Sequence, residues 1–193
     1  MIQTPYFLAN YNKLSNPLFT AQFKGSLNEE AIHVIVEQLK SEDTLCVKDV
    51  NFYGYFKGLR AFRNCENGIY FFRFENDSYY IGLASSCTFM ERLSKHVDGR
   101  YYGGFNSLLR KLGNEPKETS YFEKGQEVFS NATVLFMPLF IEELPLKGVQ
   151  ELARKEIDDF LEKDVIYLFK HLGYLIRNVR IPKKLSNYFD YGK

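Results

Sequence analysis

Hydrophobic and polar positions fall in short blocks along the chain, and each block predicts one helix or strand. Apolar residues at helical spacing follow Asn28, a residue type that commonly caps helices, and predict a helix there: Ile32, Ile35, Val36 and Leu39. The spacing changes at Gly68. Two runs rich in β-forming residues, GIYFFRF (68–74) and SYYIGLA (78–84), flank a Glu-Asn-Asp turn signal. They predict an antiparallel hairpin.

The second half of the chain mixes helical and strand patterns. FMERLSKHV (89–97) and NSLLRKLG (106–113) predict helices, ATVLFMPLF (132–140) predicts a buried strand, and the polar stretch 114–127 predicts a loop. A long helix is expected from about Leu152, which residues 164–176 either continue or follow with another. The order predicts an α/β (α+β) fold, with a small, mostly antiparallel three-stranded sheet flanked by helices and an N-terminal extension.

Composition narrows the class of protein without naming a function. The chain has 193 residues, 45% hydrophobic, with a net charge of +1, so a general nucleic-acid coat is not indicated and any DNA contact needs local clusters of Lys and Arg. Its three cysteines form no CxxC pair, which predicts reduced thiols, no zinc site and a cytoplasmic location. No apolar run approaches the ~18–20 residues of a membrane span, and the first residues do not resemble a signal peptide.

Two triplets on the predicted hairpin carry the chemistry. Gly68-Ile69-Tyr70 and Tyr80-Ile81-Gly82 resemble the paired signature of the GIY-YIG nucleases, with one triplet on each strand. The family carries an essential arginine on the next helix, often with a histidine one turn later. Here Arg92 and His96 stand at i and i+4, on one helix face. The resemblance covers roughly residues 67–178.

The family also places a metal-binding glutamate on a helix after the third strand. By this resemblance Glu156, in LARKEIDDFL, is the expected metal ligand, because an apolar frame surrounds it by one turn on each side. Glu151 on the same predicted helix is the rival. A late asparagine often completes the family's site, and Asn178 is the candidate, although it lies farther along the chain from Glu156 than the family's pattern implies.

The resemblance implies a magnesium-dependent DNA endonuclease, in which Mn²⁺ can replace Mg²⁺. Phosphodiester hydrolysis needs an activated water, neutralised phosphate charge and help for the leaving oxygen, and one carboxylate holding a hard cation supplies the last two. Tyr70 would take a proton from water if nearby cations lower its pKa. Tyr80 would orient water or phosphate, Arg92 would hold a phosphate oxygen with its planar fork, and His96 would assist proton transfer or contact phosphate.

DNA contacts are expected from basic and aromatic residues that can neutralise phosphates or stack on bases: Arg100, Tyr101, Tyr102, Arg110, Lys111 and Asn178. We divide the chain into an N-terminal arm or helical extension (1–66), a catalytic domain (67–178) and a C-terminal tail (179–193). Stand-alone size suits a type II restriction-like enzyme that acts as a homodimer. The alternative is a DNA-binding or assembly subunit that keeps the fold but cuts poorly.

Overall fold

The computed structural model of the protein describes residues 4–5, 24–25, 29–49, 68–84, 87, 89–97, 107–113, 120–138, 154–178 and 180–183. The strands are β1 (Thr4–Pro5), β2 (Lys24–Gly25), β3 (Gly68–Arg73), β4 (Ser78–Ala84), β5 (Thr133–Pro138) and β6 (Leu175–Ile176). The helices are α1 (Glu29–Lys40), α2 (Phe89–Val97), α3 (Ser107–Gly113), α4 (Ser120–Ser130) and α5 (Arg154–His171), with a 3-10 turn at Val47–Asp49.

A four-stranded mixed sheet with the order β5-β3-β4-β6 forms the centre of the fold. Strand β3 pairs antiparallel with both β4 and β5, as a small antiparallel sheet requires. The predicted α+β class is confirmed, but the expectation of three strands is wrong in one respect, because β6 adds a fourth, parallel to β4. With only two residues, β6 is too short for a periodicity of its own to appear in the sequence.

The hairpin of β3 and β4 confirms the predicted pairing of residues 68–74 with 78–84. Its register sets Tyr70 opposite Gly82 and Phe72 opposite Tyr80. The turn is held by the Asn76 carboxamide oxygen, which accepts hydrogen bonds from the backbone nitrogen and the hydroxyl of Ser78. Because side chains on a strand alternate between faces, this register brings the two signature tyrosines to the same face of the sheet.

Both faces of the sheet are covered, which explains why β3 is an almost unbroken apolar run. Helices α1 and α5 cover one face and form the first core, whose members include Ile32, Val36, Ile69, Phe71, Leu135, Leu161, Val165 and Phe169. Helices α2, α3 and α4 cover the other and form the second core, whose members include Tyr70, Phe72, Phe89, Leu93, Leu109, Phe129 and Phe136. Side chains of α1 belong to the first core, so this part of the predicted N-terminal extension packs with the sheet.

Helix α4 occupies much of the stretch expected to be a loop, so the loop prediction is wrong from residue 120 onward. Its sequence is polar, but Phe129 is fully buried and Gly125 lies directly against the backbone of Leu109 in α3. A β-carbon at residue 125 would overlap that backbone. Close packing of two helices therefore stabilises a segment whose own composition is typical of loops.

Two further findings concern the described residues alone. None of the helices in these ranges is long and apolar enough to cross a bilayer. Cys46 and Cys87 are free thiols. Cys65 lies outside the described residues, as does the predicted domain boundary at residue 66.

Candidate active site

The hydroxyl of Tyr70 lies between two nitrogen atoms contributed by helix α2. The Nε2 atom of His96 is 2.7 Å away, and Nε of Arg92 donates a hydrogen bond to it over 3.3 Å. Tyr70 and His96 are both buried. The structure thus brings together three residues that the sequence predicted for one site, from a strand and a helix more than 20 residues apart.

Helix α2 aims these two side chains because its other side belongs to the core. Phe89 and Leu93 are buried in the second core, which fixes the rotation of the helix about its axis. Arg92 and His96, four residues apart, then project on one side toward β3. The helix begins at Phe89 and ends at Val97, as predicted.

Tyr80 and Gly82 complete the wall of the site on β4. The rings of Tyr70 and Tyr80 lie 6.3 Å apart, and the imidazole of His96 packs edge-on against Tyr80 at 5.7 Å. The ring of Tyr70 covers the α-carbon of Gly82 so closely that a β-carbon there would overlap its Cζ and hydroxyl. The glycine of the second triplet is therefore required by the position of the tyrosine of the first.

Burial governs the ionisation of both tyrosines. Burial raises the pKa of Tyr70 well above its ordinary value, and the nearby Tyr80 raises it further. The positive charge of Arg92 lowers the pKa of Tyr70, but by less than burial raises it. Burial also raises the pKa of Tyr80, with a further contribution from the negative charge of Glu162. Our expectation that cations lower the pKa of Tyr70 is therefore not met by Arg92 alone, and the phenol is neutral near pH 7.

His96 is also neutral. Burial, reinforced by the charge of Arg92, lowers its pKa to about 3. Within the described part of the chain its Nδ1 atom is buried without a hydrogen-bond partner. An unsatisfied buried polar atom costs about 1–3 kcal/mol, and costs of this kind are concentrated at functional sites.

Asn178 reaches the site through the backbone of β4. Its Oδ1 accepts a hydrogen bond from the Ile81 nitrogen at 3.0 Å, and its Nδ2 donates to the Ile81 oxygen at 2.6 Å. The carboxamide thus continues the parallel pairing of β6 with β4, taking the place of a backbone peptide group. These two bonds fix Ile81, the residue that follows Tyr80.

Glu162 is a described carboxylate whose charge affects the pKa of both tyrosines. The sequence did not predict a role for it. Glu162 lies partly buried on α5, and its negative charge raises the pKa of both Tyr70 and Tyr80. Its place follows from the buried stripe of α5, since Val165 and Ile166 stand three and four residues later and are buried. This stripe is visible in the sequence, but an apolar frame taken from Leu152 and Phe160 points to Glu156 instead.

Several predicted residues are not placed by the structure. Glu156 lies in α5, but its side chain is outside the described set. Lys111 is exposed on α3, where the side chain of Arg110 is not described. Four others lie outside the described residues: Arg100, Tyr101, Tyr102 and Glu151.

The donors available near Tyr70 suit a single hard cation rather than a protein cage. Among the described residues no group of three or more His, Cys, Asp or Glu side chains is arranged to hold a metal. Glu162, whose charge reaches Tyr70 and Tyr80, and the two phenols offer oxygen donors, the kind that Mg²⁺ prefers while it keeps several waters. The chemistry of these donors fits Mg²⁺ or Mn²⁺.

The contact between Tyr70 and Gly82 yields a stability prediction. Gly82→Ala should lower the free energy of unfolding by about 1–3 kcal/mol, because the new methyl group forces the Tyr70 ring aside. In a Tyr70→Leu background, which lacks the atoms that would overlap, the same substitution should cost less than about 0.5 kcal/mol. Urea unfolding of the four proteins measures this. An equal cost in both backgrounds would show that Tyr70 is not what excludes a side chain at residue 82.

The neutral imidazole of His96 predicts a dependence of stability on pH. The imidazole of His96 binds a proton near pH 6.5 in the unfolded chain and only near pH 3 in the folded chain. The stability that comes from keeping this group neutral is therefore fully present above pH 6.5 and is lost as the pH falls toward 3. The free energy of unfolding should drop by about 1.4 kcal/mol per pH unit on this account between pH 6 and 4. In urea unfolding measured across this pH range, His96→Gln should reduce the dependence of the unfolding free energy on pH. The control His33→Gln, at an exposed histidine of α1, should leave that dependence unchanged. Equal slopes in the parent and His96→Gln would refute the assignment.

The chain was compared with protein-family models, with curated proteins and with solved structures. None of the three comparisons found a match. What the protein does must therefore be inferred from the side chains that its own fold brings together around Tyr70.

Proposed function

We propose that the protein is a metal-dependent DNA endonuclease of the GIY-YIG type that hydrolyses phosphodiester bonds. The observation that carries the proposal is the buried hydroxyl of Tyr70, contacted by Arg92 and His96, with Tyr80 on the same face. These are the four residues singled out by the two triplets and the following helix. Their convergence supports the resemblance beyond what the sequence order alone could do.

Arg92 and His96 prepare the oxygen of Tyr70 for negative charge. In the tautomer with its proton on Nε2, neutral His96 donates a hydrogen bond to the Tyr70 oxygen. The buried Nδ1 atom, which has no partner within the described part of the chain, then carries a lone pair and not an N–H group. Arg92 donates from the other nitrogen. Two N–H groups thus point at one phenol oxygen, whose own proton remains free to turn toward Tyr80 or an incoming water. This arrangement stabilises a tyrosinate more than a phenol and favours Tyr70 as general base.

The opposing effect is desolvation, which keeps Tyr70 protonated in the isolated protein. A Mg²⁺ ion held by Glu162 would neutralise charge on the phosphate and the leaving oxygen, offset the glutamate's own effect on the tyrosines and lower the pKa of Tyr70. As a tyrosinate, with its own proton released to solvent, Tyr70 would take the proton of the attacking water, and Tyr80 would hold the water or a phosphate oxygen. The rest of the Arg92 guanidinium is available to a non-bridging oxygen of the phosphate.

The finer description of the enzyme follows the sequence expectation. We propose a type II restriction-like activity carried out by a homodimer, in which each protomer cuts one strand of a DNA duplex. Arg100, Tyr101, Tyr102, Arg110 and Lys111 remain the proposed contacts to DNA from the loop and helix that follow α2. A DNA-binding or assembly subunit that cuts poorly is the alternative, and it is an outcome of the test below.

Two glutamates on α5 provide a matched pair for testing both the metal ligand and the activity. Glu162→Gln should lower the single-turnover rate of plasmid cleavage in Mg²⁺ by about 10²-fold or more, because it removes the proposed ligand of the ion. Glu156→Gln makes the same chemical change six residues away and should stay within about threefold of the parent. Binding of both variants to a DNA duplex in EDTA, measured by fluorescence anisotropy, should match the parent.

The other outcomes are equally informative. An inactive Glu156→Gln beside an active Glu162→Gln would restore the ligand predicted from the sequence and reject Glu162. A parent protein that binds DNA but leaves supercoiled plasmid intact in both Mg²⁺ and Mn²⁺ would reject the nuclease in favour of the non-cutting subunit.

A further inference from the structure

Positive charge is concentrated at the C-terminal end of the chain. From Val165 to Phe189 the sequence contains five lysines and arginines and no aspartate or glutamate. In a protein whose net charge is only +1, a stretch this unbalanced is the kind of local cluster that nucleic-acid binding needs. Three of the five lie in residues 177–183, which we call the basic segment: Arg177, Arg180 and Lys183.

The basic segment starts beside the candidate active site. Strand β6 runs parallel to β4, the Arg177 nitrogen donates to the Tyr79 oxygen at 2.8 Å, and Asn178 pairs with both backbone groups of Ile81. The chain has thus reached the residue next to Tyr80. At no more than about 3.6 Å per residue, the α-carbon of Arg180 lies within about 7 Å of that of Asn178, and the α-carbon of Lys183 within about 18 Å.

Contacts on both sides hold the segment in place while two of its charges stay exposed. Nε of Arg177 donates to the Ser78 hydroxyl at 2.5 Å, and its guanidinium lies over the Phe74 ring at 5.7 Å. Ile181 packs against the first core. Arg180 and Lys183 flank this anchor residue and are exposed. A ligand therefore meets charges whose backbone is already ordered, which reduces the entropy lost on binding.

We propose that the basic segment binds the phosphate backbone of duplex DNA beside the bond that is cut. The proposal rests on the nuclease function argued above and adds a surface to it that lies outside the loop and helix following α2. Two exposed cations three residues apart, Arg180 and Lys183, beside the partly buried Arg177, can meet successive phosphates of a nucleic-acid strand. They offer no contact that selects a base, so the segment contributes affinity and register rather than sequence specificity.

The test removes the two exposed charges and compares them with two exposed lysines elsewhere. Arg180→Gln/Lys183→Gln and the control Lys40→Gln/Lys124→Gln, on α1 and α4, each lose two positive charges. Binding to a fluorescent 30-base-pair duplex is measured in EDTA between 50 and 300 mM salt. Losing two phosphate contacts should reduce the slope of log affinity against log salt by about 1.8 and weaken binding near 100 mM salt by about 10- to 60-fold. The control pair should keep the parent's slope.

Single-turnover cleavage at saturating protein separates this proposal from the proposed function. An unchanged rate, within about threefold, together with the reduced slope supports the segment as a binding surface. A slope equal to that of the parent or the control overturns the segment even if cleavage is normal. Loss of slope in a protein that never cleaves DNA supports the segment and rejects the nuclease. Failure of the parent to bind duplex DNA, or tighter binding to duplex RNA, overturns DNA as the partner.

Discussion

The hydrogen bonds that Arg92 and His96 make to the Tyr70 hydroxyl are the interaction on which the rest of the candidate site depends. They exist only if the hairpin register sets Tyr70 opposite Gly82, because a larger residue there would displace the ring. They also require α2 to be turned with Phe89 and Leu93 inward. The polar contact inside this hydrophobic interface therefore depends on the strand register and on the helix rotation together.

Burial gives this contact its chemical character. It holds His96 neutral and Tyr70 protonated, so the cluster carries one positive charge, on Arg92, and is prepared for a negative one. The negative charges that reach it come from Glu162 on one side and, in our proposal, from a phosphate on the other. Arg92 is partly buried, and removing part of a charge from water costs free energy unless an opposite charge compensates it. In our proposal the phosphate supplies that opposite charge.

The edge of β4 links the two halves of the chain. Strand β6 and the Asn178 carboxamide cover this edge from Ser78 to Ile81. Helix α5, which carries Glu162, is followed along the chain by β6, Asn178 and then the basic segment. The two-residue parallel pairing of β6 with β4 therefore brings Asn178 and the basic segment to the strand that carries Tyr80.

Local pattern was enough to predict the hairpin and helix α2, because each depends on residues close in sequence. The meeting of Tyr70 with Arg92 and His96 was expected from the resemblance of the two triplets and the following helix, and not from local pattern. Local pattern was not enough for α4, whose stability comes from Gly125 packing on Leu109, nor for β6. The electrostatic link between Glu162 and the two tyrosines was not predicted, because the buried face of α5 is set by contact with the sheet and not by Leu152. Asn178 follows Glu162 by 16 residues and Glu156 by 22, and the longer separation exceeds what the resemblance implies.

Single-turnover cleavage of DNA by Arg92→Ala, at saturating protein and Mg²⁺ and beside a binding titration, tests most directly whether this cluster is catalytic. The account predicts a rate about 10²–10³ lower than the parent's with binding little changed, because the guanidinium stabilises charge that grows in the transition state. Arg92→Lys should recover only part of the rate, since an ammonium cannot make the two-pronged contact. A rate for Arg92→Ala within about threefold of the parent's would contradict the account and leave Arg92 with a structural role.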